Sequence, residues 1–524
     1  TMDRGKSLYN TLAMAALIIL VLAPTALFEA SFQLSFLAVF FILYISPVLF
    51  SRFFMEAEDD LKPVATTAES WIWSRVRGTK NIFAFIKKDD VYGIKTASSH
   101  AESGVLARGR SILSIIKIRG LGLFVVTVAA SIGTWPVVAY YFNYVSTVGI
   151  LSNLIILPIT TVLVEAVFLS AVLIPISATL AGWGFHLAGA IAGAQLFVVR
   201  AFAGISISSI HIARPSPLEV FLIYIFIFCL FSINKGRFFR YITAIGAALL
   251  IALIVYPHVS RSSSPGLKVT FISVGQGDSA LIEFPRGAVM LIDGGGFRGG
   301  GGKDGFDTGK SIIAPLLRYK KIRHVDYMVL SHAQQDHMGG LRYIAANFPL
   351  GAFWWNGIGD LGRLGESLSD KGVSIFRSGK KKKTFFIDGV KVEVMPLVPD
   401  AAVGINNESL VARVSYGSRS FLFTGDVEAL GEAHLSAMKG DMRADVLKAP
   451  HHGSDTSSTP AFLRAVRPRM VVISVGRGNR FGFPSKQSLE RYTGAGALVF
   501  RTDRDGAVEF TTDGRSLEVK TYGD

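Results

Sequence analysis

The chain has 524 residues, half of them hydrophobic, with 38 phenylalanines and a formal net charge of +15. A mean hydropathy of +0.42 excludes a single ordinary soluble domain, and the length allows more than one domain. One cysteine, Cys229, excludes a disulfide framework and a thiolate metal site. The basic balance suits anionic headgroups or a polyanionic substrate and does not choose between them.

The apolar residues are concentrated before about residue 258. Thr1-Met2-Asp3 is neither a leader nor a natural start, so the chain is expected to begin mid-protein. Ser7 to Phe28 and Phe32 to Phe50 are runs near the ~20 residues with which a helix crosses a bilayer. The polar stretch Ser51 to Gly120 reads mostly as solvated loop. Within it, Trp71-Ile72-Trp73 and the segment Ile82 to Ile86 are open to an interfacial-helix reading. Spans resume at Leu121–Phe142, Val148–Ile174, Ala178–Val199, Leu218–Ile233 and Tyr241–Tyr256, about seven in all. Gln33, Asn153, Glu165 and Gln195 are costly in lipid and point to a polar interior or to interhelical hydrogen bonds. With alternating spans, the basic clusters at Arg4/Lys6, Arg108 to Arg119 and Lys235 to Arg240 share one side, which the positive-inside rule makes cytoplasmic. The chain beyond the last span is then expected on the opposite side.

Arg261-Ser262-Ser263-Ser264-Pro265-Gly266 reads as linker, giving a membrane domain 1–258, a linker 259–266 and a second domain 267–524. In that domain the same pattern recurs: a short apolar strand ends on a polar group. The run Tyr327 to Leu330 delivers Ser331-His332, followed by Gln334, Asp336, His337 and a turn at Gly339-Gly340. Val289 to Ile292 ends on Asp293, Phe421 to Phe423 leads to Asp426, and Val446-Leu447 leads to Pro450-His451-His452-Gly453-Ser454. Imidazoles and carboxylates gathered at one sheet edge are ligands for Zn²⁺ or Mn²⁺. His324 and His434, by contrast, read as ordinary satisfied polar residues. The turn Gly275-Gln276-Gly277-Asp278-Ser279 could hold an anion on its backbone N–H groups. Lys380 to Lys383 reads as a solvated turn or as a phosphate-facing patch.

This order of strand-end groups resembles the metallo-β-lactamase superfamily from about Leu267 onward. With Val274 to Ser279, Asn407-Glu408-Ser409-Leu410, Thr424-Gly425-Asp426 and Pro450 to Ser454 behind a polytopic region, the chain looks like the ComEC family of competence proteins. Ser31 to Leu37, Gly133-Thr134-Trp135-Pro136 and Ser152 to Pro158 are similar to landmarks of that family's membrane domain. The resemblance implies a polytopic α-helical membrane domain followed by an αβ/βα metallo-β-lactamase-like sandwich. It also implies an inner-membrane channel importing single-stranded DNA, with an external metal-dependent nuclease-like domain acting on the other strand. The partners it implies are single- and double-stranded DNA, the lipid bilayer, a DNA receptor and cytosolic translocation components.

Carried over residue by residue, the metal ligands are His332, Asp336, His337, Asp426, His451 and His452. Asp336 or Asp426 would orient water, while His451 or His452, Asn407, Ser409 and Ser454 would donate to phosphate. Two positions depart from the pattern: Gln334 stands for a second signature ligand, and Phe483 for a histidine before Pro484. The separate mid-domain histidine is replaced by Asn406-Asn407. One strongly held Mn²⁺ or Zn²⁺ is therefore expected, beside a weak or empty position. Arg298, Lys303, Lys310, Arg318, Lys320, Lys321, Arg477 and Arg480 are expected phosphate contacts. Two other readings stay open: the same transporter with a catalytically weakened, DNA-guiding domain, and a membrane-tethered hydrolase of small phosphoesters or lactones.

Overall fold

The structure is a computed structural model that describes residues 8–61, 105–205, 207–262, 266–296, 306–379, 381–396, 404–438 and 441–523. Arg4, Lys6, Trp71 to Trp73, Ile82 to Ile86, Arg298, Lys303 and Lys380 lie outside the described residues. The chain divides into two units, Thr1–Ile251 and Ala252–Asp524.

The apolar runs fall on α1 (Leu8–Leu22), α2 (Ala30–Leu61), α3 (Val105–Phe142), α4 (Gly149–Leu173), α5 (Ala178–Ala203), α6 (Pro217–Phe231) and α7 (Arg237–Ser262). Among the described residues, four stretches are long and apolar enough to cross a membrane: Ala30–Ser51, Gly120–Phe142, Gly149–Leu173 and Ala178–Ala203. The apolar helices α1 and α6 are shorter, at 15 residues each. Helices α2 and α3 run beyond the limits expected from composition, to Leu61 and back to Val105. The flanks are polar but made of good helix formers, such as Met55-Glu56-Ala57-Glu58, so charge alone did not end the helix.

Helices α2 and α3 pack around Phe41, Ile45 and Ala129, with Ile227 of α6 joining them. Between α4 and α5, Gly184 faces Ser170 so closely that a Cβ would collide with the hydroxyl. Gln195 of α5 donates to Thr160 Oγ1 of α4 at 3.1 Å, and Gln33 donates to the Leu27 carbonyl at 2.8 Å. Both glutamine Nε2 atoms therefore have acceptors inside the helical unit, while Gln195 Oε1 is buried without a partner among the described residues. Two short strands between helices, β1 (Tyr144–Ser146) and β2 (Ser209–His211), pair antiparallel.

The second unit is a sandwich. The strands that matter for the site are β3 (Leu267–Phe271), β4 (Ala280–Glu283), β5 (Val289–Ile292), β6 (Val325–Leu330), β12 (Arg419–Phe423), β13 (Val446–Lys448) and β14 (Met470–Ile473). One sheet has eight strands in the order β17 (Glu518–Thr521), β16 (Val508–Thr512), β3, β4, β5, β6, β7 (Leu350–Trp355), β8 (Ser374–Arg377), and the other has seven in the order β15 (Leu498–Arg501), β14, β13, β12, β11 (Ala412–Tyr416), β10 (Val390–Val394), β9 (Lys383–Ile387).

Alternation along each strand divides the side chains between two cores. Met290 and Ile292 of β5 face the inter-sheet core with Phe271, Phe421 and Phe510. Val289 and Leu291 face outward, under α8 (Ala314–Tyr319) and α9 (Gln335–Asn347). The other sheet is covered by α11 (Ala429–Ala437), α12 (Pro460–Val466) and α13 (Lys486–Gly494), with Leu447, Phe462 and Tyr492 between. One further helix, α10 (Arg363–Asp370), lies on the α9 side.

The pairs β5–β6 and β12–β13–β14 are parallel. Their C-terminal ends therefore open at one edge, where α/β architectures place their sites. Gly339 and Gly340 form no turn; they lie in α9. Gly340 donates to the Gly295 carbonyl at 3.1 Å, and a Cβ there would collide with the Gly294 carbonyl. The glycines bring the helix against the loop after β5.

Candidate metal centre

Each predicted strand end delivers its group. Helix α9 starts right after Gln334 and carries Asp336 and His337 in its first turn. The loop after β12 turns at Gly425 (φ 55°), where a Cβ would lie 2.8 Å from Ser409. Asp293, His451 and His452 all adopt left-handed backbone (φ 57°, 45° and 53°), a cost of about 1–3 kcal/mol each that surrounding contacts must hold in place.

Asp336, His337, Asp426 and His452 are all buried, and one ligand atom from each lies within 4.8 Å of the others. His337 Nε2 is 3.2 Å from Asp426 Oδ2, and His452 Nε2 is 3.5 Å from the same oxygen and 3.7 Å from Asp336 Oδ2. Both Nε2 atoms and Asp336 Oδ1 are buried with no hydrogen-bond partner among the described residues. Orphaned lone pairs facing a common point are what a cation would satisfy, so the donor set fits a divalent ion.

The opposite ring nitrogens are held. Asp293 Oδ2 accepts from His337 Nδ1 at 3.0 Å, and its Oδ1 accepts from Ser331 N at 2.8 Å. His452 Nδ1 lies 3.0 Å from the Ser474 carbonyl and 3.2 Å from Asp278 Oδ1. Such carboxylate and carbonyl partners fix tautomer and aim Nε2 into the site.

The electrostatics carry the same signature. Burial would pull His452 down, but Asp426 and Asp278 override it and push it up to about 9. Burial also opposes His337, and Asp426 and Asp293 raise it well above the usual imidazole range. Asp426, despite burial, is held well below the carboxylate range by His337 and His452. Buried His332, next to His337, is pushed down to about 3. Crowded carboxylates thus draw positive charge into the centre, as protons or as a metal.

His332 is not one of the four, but its ring lies 4.2 Å from that of His337, centroid to centroid. Its Nδ1 lies 3.1 Å from Ser331 Oγ and 3.3 Å from Ser409 Oγ, and its Nε2 is an orphan. Of the two adjacent histidines, only His452 turns inward. His451 is 21% exposed, 3.1 Å from Glu428 and 4.0 Å from Asp426 Oδ2. Gln334 donates to Asn406 Oδ1 at 3.0 Å.

Three expected phosphate donors have internal partners in this structure. Asn407 Oδ1 accepts from Glu428 N and Gly431 N, at 3.0 and 2.9 Å, and so fastens the start of α11. Ser409 Oγ donates to the Asn406 carbonyl at 2.7 Å and accepts from Asp426 N at 3.2 Å. Ser454 Oγ is buried against Thr456 Oγ1 at 3.0 Å. All three are buried because the ligand loops must be tied to each other, and their polar atoms do the tying.

Several expected phosphate contacts are also engaged elsewhere. Arg318 is buried with its guanidinium over Phe348, and Lys320 bridges Glu283 and Glu509; in the Lys380 to Lys383 run, Lys382 pairs with Glu393.

Sequence reasoning missed Lys448 and underused Asp278. Lys448 Nζ is ion-paired with Asp278 Oδ2, donates to the Gly425 carbonyl at 2.8 Å and lies 3.6 Å from Asp426 Oδ1. In the turn holding Asp278, Asp278 N donates to the Asp336 carbonyl, and Gly295 N donates to the Asp278 carbonyl. A buried-strand lysine directly before Ala449-Pro450-His451-His452 was the available signal.

Residues 1–237 match the Competence protein family model, and residues 272–477 match that of the metallo-beta-lactamase superfamily. The chain carries the domain pairing of the ComEC family. It is 27% identical over 444 residues to ComE operon protein 3 of Bacillus subtilis, covering 81% of this chain and 56% of that protein. It is 29% identical over 273 residues to competence protein ComA of Neisseria gonorrhoeae, covering 50% of this chain and 35% of that one. The chain thus spans about half or less of the length of these curated relatives. A solved metallo hydrolase from Ignicoccus hospitalis is 13% identical with a TM-score of 0.29, covering 49% of this chain and 99% of that one, a likeness that carries no weight for function. Membrane-capable helices precede a metallo-hydrolase fold, and that fold implies a divalent metal.

Proposed function

We propose that the chain is part of a DNA-uptake channel of the bacterial inner membrane, importing single-stranded DNA. Residues 1–258 would form the multi-pass domain, and 259–266 would connect it to the next domain, although residues up to Ser262 continue α7 rather than forming loop. Residues 267–524, on the external side, would hydrolyse phosphodiester bonds of the strand left behind. The observation that carries the hydrolytic reading is the convergence of Asp336, His337, Asp426 and His452 on one point.

A divalent ion bound there supplies a more acidic water and neutralises charge on phosphoryl oxygens. The protein does the rest. Asp293 and Asp278 hold His337 and His452 by their Nδ1 atoms, and Lys448 holds Asp278 and the carbonyl next to Asp426. Asp336 and Asp426 are the carboxylates placed to orient water, and His451 at the rim is the group placed to donate to phosphate. One ion, Mn²⁺ or Zn²⁺, is the expected load, because Gln334 donates to Asn406 and leaves His332 without a second ligand. That same deficit favours a second reading, a weakened domain that guides DNA without cutting it.

The test is metal content and nuclease activity of the full chain in detergent. His337→Ala or Asp426→Ala should strip most bound metal and abolish cleavage, while Gln334→Ala should leave metal content nearly unchanged. Metal bound with no cleavage of any oligonucleotide supports the guiding reading. Loss of metal in Gln334→Ala would overturn the single-ion assignment.

A further inference from the structure

We propose that Phe483, Phe481 and Arg480 form a shelf beside the metal ligands on which nucleobases of a single strand stack, a proposal that rests on the phosphodiester reading above. Phe483 is half-buried. Its ring lies edge-on to His451, with centroids 5.6 Å apart, and tilted to His452 at 6.5 Å. Phe481 stacks on Phe483 at 5.8 Å with an interplanar angle of 19°. Beyond it, the Arg480 guanidinium carbon is 5.6 Å from the Phe481 centroid. Aromatic surface therefore runs without interruption from a metal ligand to solvent, and Phe481 at its outer end is 41% exposed.

The loop that carries the shelf is rigidly fastened. Asn479 Oδ1 accepts from Phe481 N at 3.2 Å and Phe483 N at 3.1 Å, while its Nδ2 donates to the carbonyls of Phe483 at 2.7 Å and Gly476 at 3.2 Å. One buried-edge amide thus satisfies four backbone groups and fixes the position of both rings. Phe483 already anchors the loop against the core that contains Tyr492, so packing gives no reason for a second phenylalanine facing water.

Scattered exposed apolar residues need no explanation. Two stacked rings that reach His451 and the ligand His452 and are edged by arginine are a different case. A flat ring held in place, with a guanidinium at its edge, is the chemistry that binds bases without regard to sequence, because every base has a π face. Arg480 and exposed Arg477 place positive charge where the strand's phosphates would run. On this reading Phe483, where the family resemblance expects histidine, gives the shelf its inner aromatic ring.

The test compares two probes binding the full-length protein in detergent by fluorescence anisotropy. One is a single-stranded thymidine oligonucleotide with non-hydrolysable phosphorothioate links; the other is the same backbone without bases. Phe481→Ala should weaken the base-bearing strand about 5- to 150-fold and leave the abasic strand, the salt dependence and the metal content unchanged. Phe481→Tyr should retain binding, and Phe481→Leu, equally apolar but without a π face, should not restore it. Equal affinity of wild type for both probes, or an equal loss for both in Phe481→Ala, overturns the shelf while leaving the phosphodiester reading standing. Failure of wild type to bind either probe overturns both.

Discussion

Lys448 is a buried ammonium held by a buried carboxylate, Asp278. Its side chain is 4% exposed and its partner Asp278 7%, so the pair is almost fully withdrawn from water. Asp278 in turn faces His337 at 3.7 Å and His452 at 3.2 Å. Lys448→Met keeps the volume and removes the ammonium, leaving Asp278 beside the carboxylates of Asp293 and Asp426. Breaking a buried pair by deleting one partner costs about 3–5 kcal/mol, which for a unit of this size lowers the melting temperature by roughly 6–10 °C.

The assay is thermal unfolding of the full chain in detergent, metal-free and metal-loaded. A divalent ion binding only the folded state should recover part of the loss, by about 2.7 kcal/mol at a hundredfold excess over its dissociation constant. The double variant Asp278→Asn/Lys448→Met removes both charges and should lose less than Lys448→Met alone. A metal-free Lys448→Met protein melting within about 2 °C of wild type, or a double variant less stable than the single, would refute the ion-pair argument.

Two further expectations concern pH and topology. His452, raised to about 9, and His337, raised well above its usual range, stabilise the metal-free fold fully below the unfolded imidazole value of about 6.5. That contribution is lost as pH climbs through about 9, while metal, which needs neutral rings, binds more tightly over the same window. The metal-free melting temperature should therefore fall between pH 6.5 and 9, and the increment on adding metal should grow; a flat increment refutes the assignment. A tag at residue 262 should be reachable from outside the inner membrane of intact cells, and a cytoplasmic tag would refute the seven-span topology.

The sequence by itself determined what is local. Apolar runs alternating toward two cores, each ending on Asp293, His332, Asp426 or His451-His452, are written into consecutive residues, since strand period and the polar residue after it need no distant partner. The apolar runs of the first unit were legible for the same reason, although helix formers carried α2 and α3 past the polar boundary that composition drew.

Only the tertiary structure decided the partnerships. Whether His451 or His452 turns inward depends on two consecutive left-handed residues and on Ser474 and Asp278 meeting the inner ring. Asn407, Ser409 and Ser454 carry the same functional groups wherever they sit, and their burial against neighbouring loops makes them fasteners. Lys448 acquires its role only because the parallel order β12–β13–β14 and the turn after β3 place Asp278, 170 residues earlier, against its ammonium. Charge pairing and burial are properties of what surrounds a residue, and that is set by strand order across the sandwich, which no local pattern records.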